Sequence, residues 1–383
     1  MRQKRIIPLL LMLFGISANS CGNSTSLPEI PTVEEQETKS INNSYCNPIY
    51  PYINGEQMAT YTADPFVFKD DDTYYMYCTQ TDIYYPEGGR SFVQGPIFES
   101  KDLIRWDYVG NVFENYTPTR GTSGAGVWAP TMIKIGDTYT YYYSLSTGGD
   151  ENPGIGVATS SSPTGPFEHH GKLFNSEEIG VTNSIDPYVF YDEDNLYMVF
   201  GSYGGLITIV ELEEDGLALK GGVETQKEEK HAIAGYELFE NNNYEASIIF
   251  KEYGKYYLLL STGSTLSGLE STYRVVVASS DSLFGPYTDS EGRDMFGPNR
   301  GDTVIAPSLS KAMGVGHCTV VQDDANNYWM LYHGYIVEGE EPSYRSLMID
   351  QLLFDQETRM PYVEGQVASI EEKAGPYINS LEN

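Results

Sequence analysis

The chain has 383 residues, of which 54 are Asp or Glu and 23 are Lys or Arg, so its formal net charge is −31. This charge excludes nucleic-acid binding, because phosphate contacts need a basic surface. The 40% of hydrophobic residues indicates a globular protein and excludes intrinsic disorder and collagen-like repetition. The 32 tyrosines, with 38 glycines and 20 prolines, favour many short strands joined by tight turns.

The N-terminus has the pattern of an export signal. Positive residues precede an apolar run over residues 6–16, and a small-residue stretch then leads to Cys21. We predict that residues 1–21 are a signal peptide with a lipobox cysteine. The protein would then be exported and held at a bacterial membrane, at the periplasm or cell surface, only through an N-terminal lipid. A plain signal peptide with an incidental cysteine is the alternative. Residues 22–44 are polar and predict a flexible linker.

A fivefold internal repeat occupies the predicted domain, residues 45–378. Each copy has an anchor residue at the start of a strand, then a polar turn, then an aromatic residue ten or eleven positions after the anchor that opens a second strand. The anchors and their aromatics are Asp64 with Tyr74, Ala129 with Tyr139, Asp186 with Tyr197, Glu245 with Tyr256, and His317 with Tyr328. Five units, each long enough for four short strands, predict an all-β fold, the five-bladed β-propeller.

The propeller fold predicts where the anchor side chains lie. Its innermost strands line the central channel, so we expect the anchors to converge at one end of it. Three anchors are acids, Asp64, Asp186 and Glu245, and one is a histidine, His317. Acids packed together repel one another, a cost that is tolerated mainly at active sites, where it separates pKa values. Carboxyl groups that face each other across a pocket are what glycoside hydrolysis requires.

The stretch from about Tyr61 to Pro361 resembles glycoside hydrolase family 43, which comprises five-bladed propeller arabinanases, arabinofuranosidases and β-xylosidases. The matching motifs, in order, are Thr62-Ala63-Asp64-Pro65, Val127-Trp128-Ala129-Pro130, Ser184-Ile185-Asp186-Pro187, Tyr244-Glu245-Ala246-Ser247 and Arg345-Ser346-Leu347-Met348-Ile349-Asp350. Within the family, the segments FGSYGGL at residues 200–206 and STYRV at residues 271–275 are most similar to endo-arabinanases.

The resemblance implies an enzyme that cleaves α-1,5-linked L-arabinan or arabino-oligosaccharides with inversion, so that its partner is a plant polysaccharide or oligosaccharide. It implies Asp64 as the general base, Glu245 as the general acid and Asp186 as the residue that tunes the pKa of the acid. For inversion the two working carboxyls would lie roughly 6.5 to 9.5 Å apart. No organic cofactor is expected.

The resemblance also implies roles for four further residues. His317 would help to hold a calcium or other ion at the propeller centre, with a hydrogen-bonded histidine in the channel wall as the alternative. Trp128 and Tyr203 would belong to the sugar-binding wall, with blade packing as the alternative for Trp128. Arg345 either contacts the substrate or pairs with an acid.

Other functions and one structural question stay open at this point. An exo-acting α-L-arabinofuranosidase or a β-xylosidase needs only different loops on the same propeller. A non-catalytic glycan-binding lipoprotein is disfavoured, because a binding module has no need for three mutually repelling acids. Cys46, Cys78 and Cys318 lack metal-ligand spacing but leave one disulfide possible in principle.

Overall fold

The structure is a computed structural model that describes residues 27–37, 43–114, 118, 126–201, 203–236, 244–337 and 344–382. Within these residues the helices are α1 Val33–Gln36, α2 Ser176–Ile179 and α3 Val223–Glu229, and 3₁₀ turns cover Gly268–Glu270, Glu364–Gln366 and Asn379–Glu382. The strands are β1 Ser44–Tyr45, β2 Tyr52–Ile53, β3 Glu56–Gln57, β4 Phe66–Asp70, β5 Thr73–Tyr77, β6 Thr81–Tyr84, β7 Arg90–Val93, β8 Pro96–Ser100, β9 Asp107–Asn111, β10 Gly126–Ile135, β11 Thr138–Ser146, β12 Gly154–Ser160, β13 Glu168–Asn175, β14 Tyr188–Asp192, β15 Asn195–Phe200, β16 Leu206–Glu211, β17 His231–Gly235, β18 Glu245–Glu252, β19 Lys255–Thr262, β20 Arg274–Ser280, β21 Asp302–Ile305, β22 Ala312–Gln322, β23 Tyr328–Ile336, β24 Ser346–Phe354, β25 Pro361–Val363 and β26 Lys373–Ala374.

Each predicted repeat opens with a hairpin whose turn uses a left-handed residue. The polar positions seen in the sequence supply it, since such turns favour Gly, Asn or Asp. The left-handed turn residues include Asp71, Gly136, Glu193, Gly254 and Asn326, one in each hairpin. The second strand of each hairpin begins within two residues of the predicted aromatic. The hairpin prediction is confirmed in all five repeats.

Five sheets form the blades. Blade 1 has the strand order β3-β2-β9-β8-β5-β4, and blades 2 to 5 are the successive four-stranded sheets β10 to β13, β14 to β17, β18 to β21 and β22 to β25. The first strands contact each other in a closed ring, β4 to β10, β14, β18, β22 and back to β4. The predicted five-bladed β-propeller is confirmed.

The apolar core is divided into five clusters, one between each pair of neighbouring blades. Between blades 2 and 3, for example, Tyr142 and Ile155 pack with Val189 and Met198. Tyrosine suits these wedges because its ring is buried while its hydroxyl reaches a backbone partner. The Tyr142 hydroxyl donates to the carbonyl of Gly216 at 2.8 Å. Interblade packing therefore accounts for much of the tyrosine content.

Two aromatic side chains meet across the channel axis close to the anchors. Phe66 of blade 1 and Tyr188 of blade 3 each lie two residues after an anchor, and their ring centroids are 6.2 Å apart. Because these blades are not neighbours, the contact crosses the middle of the ring. Two partly buried aromatic rings thus lie near the axis, next to the site formed by the anchors.

The N-terminal segment differs from its prediction as a flexible linker. Ile30 is 3% exposed and packs in the cluster between blades 4 and 5. The side-chain amide of Gln36 donates to the carbonyl of Phe354 at 2.7 Å and accepts its N–H at 2.6 Å. These two hydrogen bonds fix Gln36 to the backbone of β24. The prediction of a flexible linker over residues 22–44 is therefore wrong for residues 27–37.

Two further predictions concern the cysteines and the membrane. Cys46, Cys78 and Cys318 are free, so they form no disulfide. In the part of the chain that the structure describes, no helix is long and apolar enough to cross a membrane. The signal peptide over residues 1–21 and its lipobox Cys21 lie outside the described residues and stay predictions.

Candidate active site

The chain enters each blade through a residue in the left-handed backbone region. These residues are Asp64 (φ 56°), Ala129 (φ 41°), Asp186 (φ 56°), Ala246 (φ 54°) and His317 (φ 49°). Such a conformation costs a non-glycine residue about 1 kcal/mol or more and is concentrated at functional sites. The predicted anchor of blade 4 is therefore wrong by one residue. Ala246 holds the equivalent backbone position, and Glu245 corresponds to Trp128, one residue before the anchor.

Hydrogen bonds between blades hold four of these residues by their N–H groups. The acceptor in each case belongs to the second strand of the preceding blade, or to the residues just after it. The pairs are Asp64 with His333 Nδ1 (3.1 Å), Ala129 with Thr79 Oγ1 (2.8 Å), Asp186 with Ser144 Oγ (2.8 Å) and His317 with Ser261 Oγ (2.8 Å). The strand register shows that the equivalent position in blade 3 is Gly201, which has no side chain. The N–H of Ala246 instead donates to Oδ2 of Asp186 at 3.2 Å.

Asp64 lies in a cationic, hydrogen-bonding environment. Its Oδ1 is 3.2 Å from Nη1 of Arg345 and 3.3 Å from Nδ1 of both His317 and His333. Its Oδ2 accepts the hydroxyl proton of Thr79 at 2.5 Å. Burial by itself would raise the pKa of Asp64, but Arg345 and the two imidazoles hold that pKa well below its usual range. Asp64 is therefore ionised at neutral pH.

His333 is fully buried and has polar contacts at both ring nitrogens. Nδ1 accepts the N–H of Asp64 at 3.1 Å and lies 3.3 Å from Oδ1 of the same residue, and Nε2 lies 2.9 Å from the hydroxyl of Thr265. Burial lowers the pKa of His333 from 6.5 to about 4, despite the neighbouring Asp64 carboxylate. At neutral pH His333 is thus uncharged. The ring of Tyr273 stacks on it, with centroids 5.8 Å apart.

Asp186 and Glu245 form a second, electrostatically opposite environment. Burial first, and then the negative charges of Glu245 and Asp64, raise the pKa of Asp186 well above its usual range. The carboxyl pair therefore retains a proton under conditions in which Asp64 has none. The hydroxyl of the fully buried Tyr273 donates to Oε1 of Glu245 at 2.6 Å. Tyr273 thus joins the environment of Glu245 to that of His333.

The structure brings Arg345 to the site but leaves two other roles untested. Arg345 pairs with Asp64, which is one of its two predicted roles. Trp128 is partly buried on β10, and the strand register places it opposite Ser144. Tyr203 is 52% exposed in the turn before β16, and its carbonyl accepts from the side chain of Asn183 at 3.3 Å. Sugar contacts of Trp128, Tyr203 and Arg345 stay predictions.

The described residues around His317 do not form a full set of protein ligands for the predicted ion. The described residues contain no group of three or more His, Cys, Asp or Glu side chains that could hold a metal. Calcium takes about six to eight oxygen ligands. An ion at His317 would therefore draw most of its ligands from water, and the ion stays a prediction on which no step below depends.

Three residues of the site were missed by the sequence reasoning: Thr79, His333 and Tyr273. Thr79 and His333 have a signal in the sequence, because a small or polar residue recurs five residues after the first aromatic of the second strand in all five repeats. That signal identifies the position but not its partner. Tyr273 lies in the STYRV segment at residues 271–275 that the resemblance singled out, but that segment gave the tyrosine no role at the site.

The fold and the site together define a class of protein. A propeller that presents one ionised carboxylate beside a proton-retaining carboxyl pair has the equipment of a glycoside hydrolase. Residues 58–358 match the family described as Glycosyl hydrolases family 43, and the chain belongs to this family. The predicted family and the prediction of a glycoside hydrolase are confirmed.

The chain is similar to arabinan-degrading enzymes of other organisms. The extracellular endo-α-(1→5)-L-arabinanase of Thermotoga petrophila is 27% identical over 348 residues, which is 81% of this chain and 68% of the relative. The extracellular exo-α-(1→5)-L-arabinofuranosidase of Cellvibrio japonicus is 29% identical, over 77% of this chain and 84% of the relative. The structure of Cellvibrio cellulosa α-L-arabinanase complexed with arabinohexaose superposes with a TM-score of 0.67 and 26% identity, covering 80% of this chain and 96% of that one.

Proposed function

We propose that the protein hydrolyses α-1,5-linked L-arabinan or arabino-oligosaccharides in a single inverting step. The observation that carries the proposal is the opposite protonation of Asp64 and the Asp186–Glu245 pair. An inverting glycosidase needs one carboxylate that accepts a proton from water and one carboxyl that donates a proton to the leaving group. The arabinanase and arabinofuranosidase names of the relatives support arabinan as the substrate.

In this proposal Asp64 is the general base and Glu245 the general acid. Asp64 takes a proton from a water molecule whose oxygen bonds to the anomeric carbon. As that bond forms, the bond from the anomeric carbon to the glycosidic oxygen breaks, and Glu245 gives its proton to the departing oxygen. Asp64 has then gained one proton and Glu245 has lost one, and exchange with solvent restores both.

Asp186 has the tuning role. Because Asp186 and Glu245 repel each other when both are charged, the pair keeps one proton available for donation. Asp186 also accepts the N–H of Ala246, the residue next to Glu245. The same carboxyl thus acts on the proton and on the backbone position of the proposed acid.

Export is part of the proposal. The Thermotoga petrophila and Cellvibrio japonicus relatives are both named extracellular, and the positive, apolar and small-residue pattern of residues 1–21 supports the same destination. A polysaccharide substrate is encountered outside the cell. A lipid on Cys21 stays a prediction.

The exo-acting alternative is favoured by one observation, the similarity to the Cellvibrio japonicus exo-arabinofuranosidase over 84% of that relative. Endo and exo action share the acid–base chemistry proposed here and differ in products. A ladder of oligosaccharides from linear arabinan indicates endo action. A single small product from the start of the reaction indicates exo action.

The test measures reducing-sugar release and products from linear α-1,5-arabinan, an aryl arabinofuranoside and an aryl xyloside. We expect wild type to act on arabinan and Glu245→Gln to lose at least about a hundredfold in rate, as expected for loss of a general acid. Glu214→Gln, at an exposed turn residue, is the matched control and keeps full activity. NMR of the first-formed product reports its anomeric configuration. Retained configuration contradicts inversion, and a wild type that acts only on the xyloside contradicts the arabinan proposal.

A further inference from the structure

Blade 1 carries a hairpin that has no counterpart in the described parts of the other blades. Strands β6 and β7 are inserted between β5 and β8 and form a separate two-stranded sheet. The hairpin starts at Thr81, two residues after Thr79, whose hydroxyl binds Asp64. It therefore rises from the propeller directly beside the proposed general base.

The two faces of this hairpin differ in burial. One face carries Thr81, Ile83 and Val93, which are at most 8% exposed and pack on blade 1. The cross-strand pairs Asp82–Phe92 and Tyr84–Arg90 place those four side chains together on the other face. Phe92 on that face is 60% exposed. Packing within the described chain therefore gives no reason for a phenylalanine at this position.

A line of aromatic rings connects this face with the site. The ring of Tyr84 lies 6.2 Å from that of Tyr344, and the ring of Tyr344 lies 4.8 Å from that of Tyr61, each pair nearly perpendicular. All three rings are partly exposed. We call Tyr61, Tyr344, Tyr84 and Phe92 the aromatic row.

The inner end of the aromatic row is fixed to the catalytic centre. Tyr344 immediately precedes Arg345, whose guanidinium contacts Asp64. The residue after Tyr61 is Thr62, whose N–H donates to the carbonyl of Arg345 at 3.0 Å. The row therefore begins beside the residue that pairs with the proposed base and continues onto the exposed face of the hairpin. There Tyr84 lies nearer the hairpin turn and Phe92 nearer the hairpin base.

We propose that the aromatic row binds remote sugar residues of the substrate chain, on the side of the site nearest Asp64. Rings of this kind are large, rigid and amphipathic, which suits the apolar C–H faces and hydroxyl edges of a neutral sugar. The bound sugars are arabinofuranosyl units, an assignment that rests on the proposed function. The row then makes hydrolysis depend on chain length.

The test compares kcat/KM for arabinohexaose with that for an aryl arabinofuranoside, which contains a single sugar unit and so has no remote sugar residues for the row to bind. Phe92→Ala is expected to lower kcat/KM for the hexasaccharide roughly five- to tenfold, and that for the aryl substrate less than about twofold. Tyr84→Ala should have the same selective effect. The matched control is Tyr191→Ala. Tyr191 is 47% exposed and lies in β14 beside the hairpin turn of blade 3, at the end of the strand away from the anchor, so its replacement should change neither kcat/KM value.

Two results would contradict the proposal that the aromatic row binds sugars, and both differ from the result expected if the proposed function is wrong. Variants that cleave the hexasaccharide as fast as wild type show that the row does not bind substrate. Equal losses on both substrates, with a lowered melting temperature, show that the hairpin acts only through the fold. If instead wild type cleaves neither arabinose substrate, the proposed function itself is wrong, and the row loses its assigned ligand with it.

Discussion

The hydroxyl of Thr79 donates to Oδ2 of Asp64 across 2.5 Å and accepts the N–H of Ala129 at 2.8 Å. An N–H group can only donate, so the single hydroxyl proton of Thr79 must be directed to the carboxylate. One side chain thus ties the proposed base of blade 1 to the backbone of blade 2. The orientation of Asp64 depends on the packing of these two blades.

Replacing Thr79 with valine keeps the shape and removes this bridge. We expect Thr79→Val to lower kcat roughly tenfold with little change in KM, because the base loses a hydrogen bond that orients it. The free energy of unfolding should fall by about 1–3 kcal/mol, since the buried N–H of Ala129 loses its acceptor. Steady-state kinetics and urea unfolding measure both effects. Thr79→Ser should restore most of kcat, and a valine variant with wild-type kcat would contradict the orienting role.

Tyr273 is expected to position Glu245. Tyr273→Phe removes only the hydroxyl that donates to Oε1 of Glu245, and should lower kcat roughly tenfold on arabinan. Tyr257 is the matched control, because it is equally buried in the same blade and its hydroxyl has no hydrogen-bond partner among the described residues. Tyr257→Phe should leave kcat unchanged. Equal kinetics of the two variants would show that the Tyr273 hydroxyl has no part in positioning the acid.

Arg345 is expected to set the acid limb of the pH profile. Its charge helps to hold the pKa of Asp64 well below the usual range, against the opposing effect of burial. In Arg345→Gln the pKa of Asp64 should rise, so the base is protonated at a higher pH. We expect the acid limb of kcat/KM to move upward by about one pH unit or more. Arg345→Lys keeps the charge and should move the limb less. An unmoved limb in the glutamine variant would exclude this role.

Buried His333 should make stability depend on pH. Its pKa is about 4 in the folded protein and near 6.5 when unfolded, so the unfolded chain binds a proton in this interval that the folded protein does not. Stability is therefore lost as pH falls from about 6.5 towards 4, by roughly 3 kcal/mol from this residue. Urea unfolding at several pH values should show a shallower dependence for His333→Gln. Exposed His170→Gln is the control, with a wild-type slope, and parallel curves for all three proteins would contradict the assignment.

The comparison of sequence and structure is most instructive at Glu245. The repeat pointed to the correct region of blade 4, because hydrophobic and turn patterns are local and survive from blade to blade. It assigned the anchor to Glu245 instead of Ala246, because a one-residue shift barely changes the spacing to Tyr256. Only the backbone conformation distinguishes the two residues. The displaced position corresponds to Trp128, so the proposed acid does not occupy the same structural position as Asp64 and Asp186.

The sequence by itself determined the number of blades, the hairpin that opens each one and the three acids near the axis, since each depends on neighbouring residues and their period. The surroundings of those acids were decided only by the tertiary structure. Asp64 contacts Thr79 of its own blade. It also contacts His317, His333 and Arg345 of blade 5, which are more than 250 residues away along the chain. Whether a carboxyl keeps its proton depends on burial and on charges within a few ångströms. Closure of the propeller brings those charges together, so the sequence assigned opposite roles to the acids only through the family resemblance, and the physical cause of those roles came from the tertiary structure.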